Sequence, residues 1–225
     1  MSWLAVLDLD GTILEKRTVD VLCEKLGLAK ELRAIDEISG VMAGHEVTSA
    51  IAKLFAGYSA SKLEKIFDRI PFVQGIAEFI QFLKSRSFIS SIVTDSYVFL
   101  ASRAADRLHI DTVRGNHLEI IEGVVTGRVV MPLGWEKMTI QNCQRKAICK
   151  LNAMTELADK YSISEDRTLA VGDSRSDSCM VYAATIGVAF RPKDDVIAEA
   201  ADVVIRTDFL ELQRWLECFL DRSAD

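Results

Sequence analysis

The sequence predicts an α/β protein with a doubly wound, Rossmann-like parallel sheet as its core and an inserted helical cap domain. Short apolar runs alternate with amphipathic helical patterns through most of the 225 residues, which is typical of a parallel sheet with helices on both faces. The alternation stops after the first apolar run, where residues 17–72 carry only helical patterns. An insertion after the first strand explains that interruption.

The predicted strands are short apolar runs bounded by polar or turn residues. The first is Trp3–Leu7, which ends directly at two carboxylates and is expected to be buried on both faces. Later runs lie at residues 88–93, 168–171, 186–190 and 203–205. The alternating segment 119–130 predicts a β-hairpin or flap.

Apolar residues with helical spacing recur at residues 19–26, 51–55 and 63–70, and no strand pattern interrupts them. Pro71 cannot continue the last of these helices, because it lacks an N–H donor and clashes with the preceding turn. We therefore predict two domains. Residues 1–16 and 73–225 form the α/β core, and residues 17–72 form the helical cap.

The charge and the apolar pattern of the sequence indicate which classes of partner to expect. The formal net charge of −6 argues against a nucleic-acid partner, which needs clustered lysine and arginine, but is compatible with one small phosphate. No apolar run approaches the roughly 20 residues of a membrane span. The first residues resemble no signal peptide, and the five cysteines form no CxxC pair, so reduced thiols and a cytoplasmic location are expected. We expect a monomer or a homodimer.

Three predicted strands end in polar residues. Asp8 and Asp10 follow the first strand, Thr94 follows the second, and Asp173 and Asp177 follow a later one. Because ligands bind at the carboxyl ends of parallel strands, these side chains are expected to meet in one crevice. Carboxylates gathered this closely repel one another unless a cation neutralises them, and oxygen ligands suit Mg²⁺.

The spacing of Asp8 and Asp10 suits two complementary chemical roles. Residues i and i+2 of an extended strand project to the same side, and Gly11 then lets the chain turn. One carboxylate can attack phosphorus, while the other transfers protons to the leaving oxygen and from water. Each feature also has an ordinary structural interpretation, since Asp10-Gly11 fits a simple turn and Asp173-Ser174 fits a helix N-cap.

Together these motifs resemble those of the haloacid dehalogenase superfamily. Asp8-Leu9-Asp10-Gly11-Thr12 is similar to its first motif, Thr94 to its second, and the segment from Gly172 to Asp177 to its fourth. The order and spacing match over nearly the whole chain. The resemblance implies a phosphatase that hydrolyses a small-molecule phosphate ester through an aspartyl phosphate.

The resemblance also implies roles for individual residues. Asp8 would be the nucleophile, Asp10 the general acid and base, and Thr94 a hydrogen-bond donor to phosphate. Mg²⁺ would bind the side chains of Asp8 and Asp173 and the main-chain carbonyl of Asp10, with Asp177 close by. The third motif of the superfamily is a lysine. Lys150 fits its register best, and Lys146, one helical turn earlier, is the alternative.

The position of the cap resembles that of the phosphoserine phosphatase branch. Departures from the branch concern the substrate: Arg17 stands where the branch has a glutamate, Lys53 where it has an arginine, and Asp95-Ser96 where it has glycines. The added positive charge leads us to expect a substrate with a second acidic group or a polyol rather than L-phosphoserine. The candidate substrate-binding residues are Arg17, Lys53, Asp95, Ser96 and Ser176. A phosphotransferase and a non-catalytic binding module are the remaining alternatives.

Overall fold

The computed structural model of the protein describes residues 2–132 and 147–222. Within that part of the chain one sheet of seven strands is present, in the order β4-β3-β2-β1-β5-β6-β7. The strands are β1 (Trp3–Leu7), β2 (Phe88–Tyr97), β3 (Thr112–Ile121), β4 (Val124–Val130), β5 (Thr168–Gly172), β6 (Ile186–Phe190) and β7 (Val203–Ile205). All neighbouring strands run parallel except β3 and β4, which form an antiparallel pair. The predicted fold class is confirmed. The segment 119–130 belongs to the expected hairpin, but its first strand, β3, begins at Thr112, in a stretch where the sequence indicated no strand.

The helices occupy the segments between the strands and the stretch that follows β1. They are α1 (Thr18–Leu26), α2 (Ala29–Ile38), α3 (Gly44–Leu54), α4 (Ala60–Phe67), α5 (Ile76–Ser85), α6 (Val98–Leu108), α7 (Lys150–Tyr161), α8 (Ser178–Ala183), α9 (Asp195–Ala200) and α10 (Phe209–Arg222). None of the helices in the described ranges is long and apolar enough to cross a membrane.

The central strand β1 is buried on both faces, which explains its uninterrupted apolar sequence. Because side chains alternate along a strand, Leu4 and Val6 pack into one apolar layer with residues of α7, α8 and α9. Ala5 and Leu7 pack into the other layer, with residues of α5, α6 and α10. Helices therefore cover both faces of the sheet, as a doubly wound fold requires.

Helices α1 to α4 lie between β1 and α5, in the stretch predicted to be a cap. The two segments that connect them to the rest of the chain run side by side. Leu14 and Phe72 form an antiparallel bridge, and the Glu15 N–H donates to the Pro71 carbonyl oxygen at 3.0 Å. The division into a core of residues 1–16 and 73–225 and a cap of residues 17–72 stays a prediction.

The strand register brings the ends of β1, β2 and β5 to one edge of the sheet. Leu7 pairs with Ile92 on one side and with Val171 on the other. The Asp8 N–H then donates to the Val171 carbonyl oxygen at 2.9 Å. The residues that follow these three strands are therefore neighbours in space, as parallel pairing predicts.

Strand β2 is longer than its sequence indicates. The apolar pattern ends at Val93, but the strand continues to Tyr97, with a shift of register against β3 between these two residues. Asn116 of β3 supports the extension, because its side-chain amide donates to the Asp95 carbonyl oxygen at 2.7 Å. Thr94 and Asp95 therefore lie within an irregular strand and not in a loop beyond it.

Candidate active site

Asp8 and Lys150 form a buried ion pair at the end of the central strand. Asp8 is the first residue after β1, and Lys150 is the first residue of α7. The Nζ atom of Lys150 lies 2.6 Å from Oδ1 of Asp8 and 2.6 Å from Oδ1 of Asp177. The structure thus brings together three of the predicted site residues. The alternative, Lys146, lies outside the described residues.

Three carboxylates form a compact cluster around this lysine. One oxygen each of Asp8, Asp173 and Asp177 lies within 4.8 Å of the others, and all three residues are buried. Burial raises the pKa of Asp8 well above its usual value, Lys150 opposes that rise, and the two neighbouring aspartates add to it. Burial likewise raises the pKa of Asp173. A hard divalent cation would relieve this repulsion, and its preferred ligands are oxygens of this kind.

A second lysine, Lys193, contacts the cluster through Asp173. Its Nζ atom lies 2.6 Å from Oδ2 of Asp173, and its N–H donates to the Asp173 carbonyl oxygen at 2.8 Å. Lys193 was not among the site residues predicted from the sequence. A usable signal was present, since Lys193 follows β6, whose carboxyl end lies at the same edge of the sheet.

Asp177 is held in place by backbone donors. Its Oδ2 atom accepts hydrogen bonds from the N–H groups of Asp173 and Ser174, each at 3.2 Å, and from the Ser174 hydroxyl. Ser176, predicted to bind substrate, instead places its hydroxyl 3.0 Å from that of Ser174. The other Asp177 oxygen remains directed at Lys150, so Asp177 links the turn after β5 to the buried cation.

The carboxylates lie so close to Gly11 and Gly172 that a larger residue would not fit at either position. Gly11 has φ of +90°, and a Cβ atom there would lie 2.0 Å from Oδ2 of Asp173. A Cβ atom on Gly172 would lie 2.4 Å from the Cβ of Asp177. Each glycine therefore provides the space in which an aspartate of the cluster sits.

Asp10 lies beside the carboxylate cluster, but its side chain forms hydrogen bonds with Thr18. Its Oδ1 atom accepts hydrogen bonds from the N–H of Thr18, at 2.9 Å, and from the Thr18 hydroxyl. Burial raises the pKa of Asp10 to about 6, and the two Thr18 bonds limit the rise. A carboxyl group with this pKa can donate and accept protons near neutral pH. Sequence reasoning missed Thr18, the first residue of α1. Ligation of Mg²⁺ by the Asp10 main-chain carbonyl stays a prediction.

The end of β2 presents hydroxyl and carboxylate groups to the same edge. The buried Thr94 Oγ1 atom accepts a hydrogen bond from the Ser96 N–H at 3.0 Å, and no acceptor for its own hydroxyl hydrogen is found among the described residues. Oδ1 of Asp95 and Oγ of Ser96 are buried and have no hydrogen-bond partner among the described residues. Buried polar atoms in this state indicate a place where a ligand or water completes the bonding.

A cavity of about 660 Å³, here called the strand-end cavity, opens between this edge and helices α1 to α3. The predicted residues that line it are Asp10, Arg17, Asp95 and Ser96. Lining residues that the sequence did not single out as substrate-binding are Asp36, Ser39, Thr48, Tyr97 and Arg175. Lys53 is exposed in the last turn of α3 and does not line the cavity, so the structure does not bring it to the site.

Arg17 lines the strand-end cavity, but neighbouring carboxylates pair with its guanidinium group. Its Nη1 atom donates to both carboxylate oxygens of Asp36, at 3.1 and 3.2 Å, and to Asp20 at 3.2 Å. The sequence suggested that Arg17 adds a positive charge for a second anionic group. The carboxylates of α1 and α2 reduce that added charge, so the cavity gains little net positive potential from Arg17.

Comparison with known proteins identifies the family. The model of the haloacid dehalogenase-like hydrolases matches residues 5–181. A phosphoserine phosphatase of Idiomarina loihiensis is 32% identical over 214 residues, which cover 94% of this chain and 92% of the relative. One from Archaeoglobus fulgidus is 30% identical over 201 residues, and this chain spans only 55% of that longer protein.

Solved structures agree at the level of the fold. A phospho-aspartyl intermediate analogue of a phosphoserine phosphatase superposes with a TM-score of 0.81 at 24% identity, over 95% of this chain and 98% of that one. The chain therefore belongs to the haloacid dehalogenase-like hydrolase family, and the resemblance to its phosphoserine phosphatase branch is confirmed.

Proposed function

We propose that this haloacid dehalogenase-like hydrolase is a Mg²⁺-dependent phosphomonoesterase that transfers the phosphoryl group of a small metabolite to Asp8 and then to water. The family and its phosphoserine phosphatase relatives make the chain a phosphatase. The observation that supports Asp8 as nucleophile is its contact with Lys150 at the end of β1, with the Asp10 carboxyl group two residues away.

Asp8, Asp173 and Asp177 would hold the metal. Their buried oxygens provide an all-carboxylate donor set, and the fit is chemical: three anions share one site with two lysines, Lys150 and Lys193. Mg²⁺ bound there would neutralise the carboxylates and withdraw charge from the phosphate oxygens.

Lys150 prepares Asp8 for attack. Burial alone would lower the pKa of Lys150, but Asp177 and Asp8 raise it well above its usual value, so the ammonium group stays charged. A charged Lys150 favours the ionised, nucleophilic form of Asp8 and holds its carboxylate in one orientation. It also supplies positive charge next to the position where negative charge develops on the phosphoryl oxygens.

The first chemical step makes and breaks one bond to phosphorus. An Asp8 carboxylate oxygen attacks, the ester P–O bond breaks, and the leaving oxygen takes the proton of Asp10. In the second step Asp10, now ionised, removes a proton from water, and the resulting hydroxide attacks phosphorus. The bond to Asp8 breaks and inorganic phosphate leaves. Thr94 would donate its free hydroxyl hydrogen to the phosphoryl group during both steps.

The substrate class follows from the atoms that lack partners. Asp95 and Ser96 line the strand-end cavity, and the buried Oδ1 of Asp95 and Oγ of Ser96 have no hydrogen-bond partner in the described chain. A buried carboxylate oxygen requires a donor. Hydroxyl groups of a polyol or an ammonium group would supply donors, whereas a second acidic group would not. With Arg17 neutralised by Asp36, we favour a polyol phosphate over a phosphate with a second acidic group.

Phosphoserine remains the reference substrate, because the relatives carry that name and its ammonium group is also a donor. A phosphotransferase would use the same residues with an acceptor hydroxyl in place of water. A binding module without catalysis would have lost a nucleophile, acid or metal ligand, and the described site retains each of these residue types.

The proposal is tested by phosphate release from phosphoserine, N-acetylphosphoserine, a polyol phosphate and phosphoglycerate, with Mg²⁺ and with a chelator. We expect metal-dependent turnover that disappears in Asp8→Asn and persists in Asp166→Asn, a control at an exposed carboxylate away from the cavity. Turnover that survives the chelator or Asp8→Asn would contradict the mechanism. A preference for phosphoglycerate would contradict the substrate class.

A further inference from the structure

A second cavity, of about 440 Å³, lies between α1, α4 and the two segments that connect these helices to the sheet. None of its lining residues lines the strand-end cavity. The lining residues are Lys16, Val21, Glu24, Lys25, Lys62, Lys65, Ile66, Arg69, Ile70 and Pro71. We call this cavity the basic groove.

The basic groove is strongly cationic in a chain whose net charge is negative. Among residues 2–132 and 147–222, four lysines and one arginine line the groove against the single carboxylate of Glu24, while the whole chain carries −6. Two acidic residues near Lys16 in the sequence form ion pairs with arginines outside the groove. Glu15 pairs with Arg191 at 2.8 Å, and Asp20 pairs with Arg17 at 3.2 Å. The groove therefore keeps an excess of positive charge.

The arrangement of α4 explains why these cations stay together. Lys62 and Lys65 lie three residues apart on one face of α4, and Arg69 follows in the turn after the helix; all three border the groove. The carboxylate of Asp68, at the end of α4, instead contacts Arg103 of α6 on the other side. Within residues 2–132 and 147–222, no ion pair is formed by Lys65 or Arg69, nor by Lys16. Like charges held this close favour a bound anion.

The floor of the groove is apolar. Val21 and Ile66 are half-buried, and Ile70 and Pro71 complete the surface beneath the cations. Burying exposed apolar area would add favourable free energy to any charge attraction. The volume falls within the range of small-molecule pockets, which combine apolar walls with a few charged groups.

We propose that the basic groove binds a small organic anion that carries an apolar body and one carboxylate, sulfonate or phosphate group. The charge matches the cations at the rim, and the apolar body matches the floor. The ligand would contact Lys16 and Pro71, one in each connecting segment, beside the hydrogen bond from Glu15 to Pro71. The site is separate from the strand-end cavity and does not depend on the proposed function.

The test uses anilinonaphthalenesulfonate, a fluorescent anion with an apolar ring system, and the full chain. We expect saturable binding to one site that weakens as ionic strength rises. The Lys65→Gln/Arg69→Gln variant should raise the dissociation constant by about 5-fold or more, since each removed cation accounts for a modest exposed charge contact. The matched control is Lys30→Gln/Arg33→Gln on α2, which removes two exposed charges elsewhere and should leave the constant unchanged.

Two further ligands separate the contributions of charge and apolar surface. Phenylnaphthylamine, which has the same rings without the sulfonate, should bind the wild type about 10-fold more weakly and respond little to Lys65→Gln/Arg69→Gln. Inorganic phosphate should displace the probe no more than sodium chloride of the same ionic strength does. Equal probe binding by the groove variant and the wild type, or full displacement by phosphate, would overturn the proposal. Both readouts stand even if the chain proves inactive as a phosphatase.

Discussion

The Nζ atom of Lys150 lies 2.6 Å from Oδ1 of Asp8, in a region from which water is almost completely excluded. This contact joins the start of α7 to the end of β1, two elements that are far apart in the sequence. An unpaired carboxylate buried there would protonate, because burial raises the pKa of Asp8 and Lys150 opposes that rise. The nucleophilic character of Asp8 therefore depends on Lys150.

Replacing Lys150 with methionine should lower kcat by about 100-fold to 1,000-fold, the usual effect of removing one group that stabilises transition-state charge. The acid limb of the kcat/KM profile should also move to higher pH, because Asp8 loses the cation that opposes the rise of its pKa. Steady-state kinetics across pH measure both effects. The control is Lys146→Met, which should retain activity. If that variant loses activity and Lys150→Met does not, the lysine assignment is wrong.

Gly11→Ala should abolish activity and destabilise the protein. A Cβ atom there would lie 2.0 Å from Oδ2 of Asp173, at a φ of +90° that alanine rarely adopts. Gly27→Ala is the matched control, since Gly27 has a φ of +77° and no non-neighbouring atom of the described residues lies within 4 Å of the added Cβ. The control should lose about 1–2 kcal/mol of unfolding free energy from backbone strain and keep its kcat. Equal kcat in both variants would show that the glycine is not required by the site.

Asp10→Asn should remove activity yet stabilise the metal-free protein above pH 6. The pKa of Asp10 is raised to about 6 in the folded chain, whereas it is about 4 in the unfolded chain. Asp10 therefore lowers the free energy of unfolding as pH rises from about 4 through 6. Asparagine does not ionise, so it avoids this decrease in unfolding free energy, and its side-chain oxygen can still accept the hydrogen bond from the Thr18 N–H. The gain at neutral pH should be at most about 3 kcal/mol, less because Asp10 keeps some solvent contact.

Denaturant titrations of Asp10→Asn and wild type, both with chelator, measure this difference. The two curves should coincide near pH 4 and separate as pH rises through 6. A difference in unfolding free energy that is the same at every pH would contradict the assignment of the raised pKa to Asp10.

Asp95→Asn should raise KM for the preferred polyol phosphate by about 10-fold, with a smaller change in kcat, because it weakens a charged contact made to the bound substrate. The same variant should leave KM for a simple aryl phosphate unchanged, since that substrate offers no donor to Asp95. If KM for both substrates rises equally, Asp95 acts on the phosphate site and not on substrate choice.

The sequence predicted the sheet well because strand ends, motif spacing and apolar runs are local signals. It did not single out α2 within the predicted cap, although Leu32 and Ile35 have helical spacing there and pack against the core. The extension of β2 to Tyr97 was also missed, because Thr94, Asp95 and Ser96 are polar and their pairing depends on β3.

Contacts between distant segments account for what the sequence did not reveal about the site. Lys193 contacts Asp173 because β6 lies beside β5, and its position after a predicted strand is the signal that was overlooked. Thr18 reaches Asp10 only once α1 is folded back onto it. The partner of Arg17 is likewise tertiary, since Asp36 lies on the next helix. The residue types at 8, 10 and 173 were predictable because their motifs are contiguous, whereas the balance of charge around them was not.

The central claim is that Asp8 becomes phosphorylated during turnover. The most direct measurement is mass spectrometry of enzyme quenched in acid while it turns over substrate with Mg²⁺, beside Asp8→Asn treated in the same way. The account predicts one added phosphoryl group on the peptide that contains Asp8 in the wild type, and no such group on the variant. A phosphoryl group on another residue, or turnover by Asp8→Asn, would contradict it.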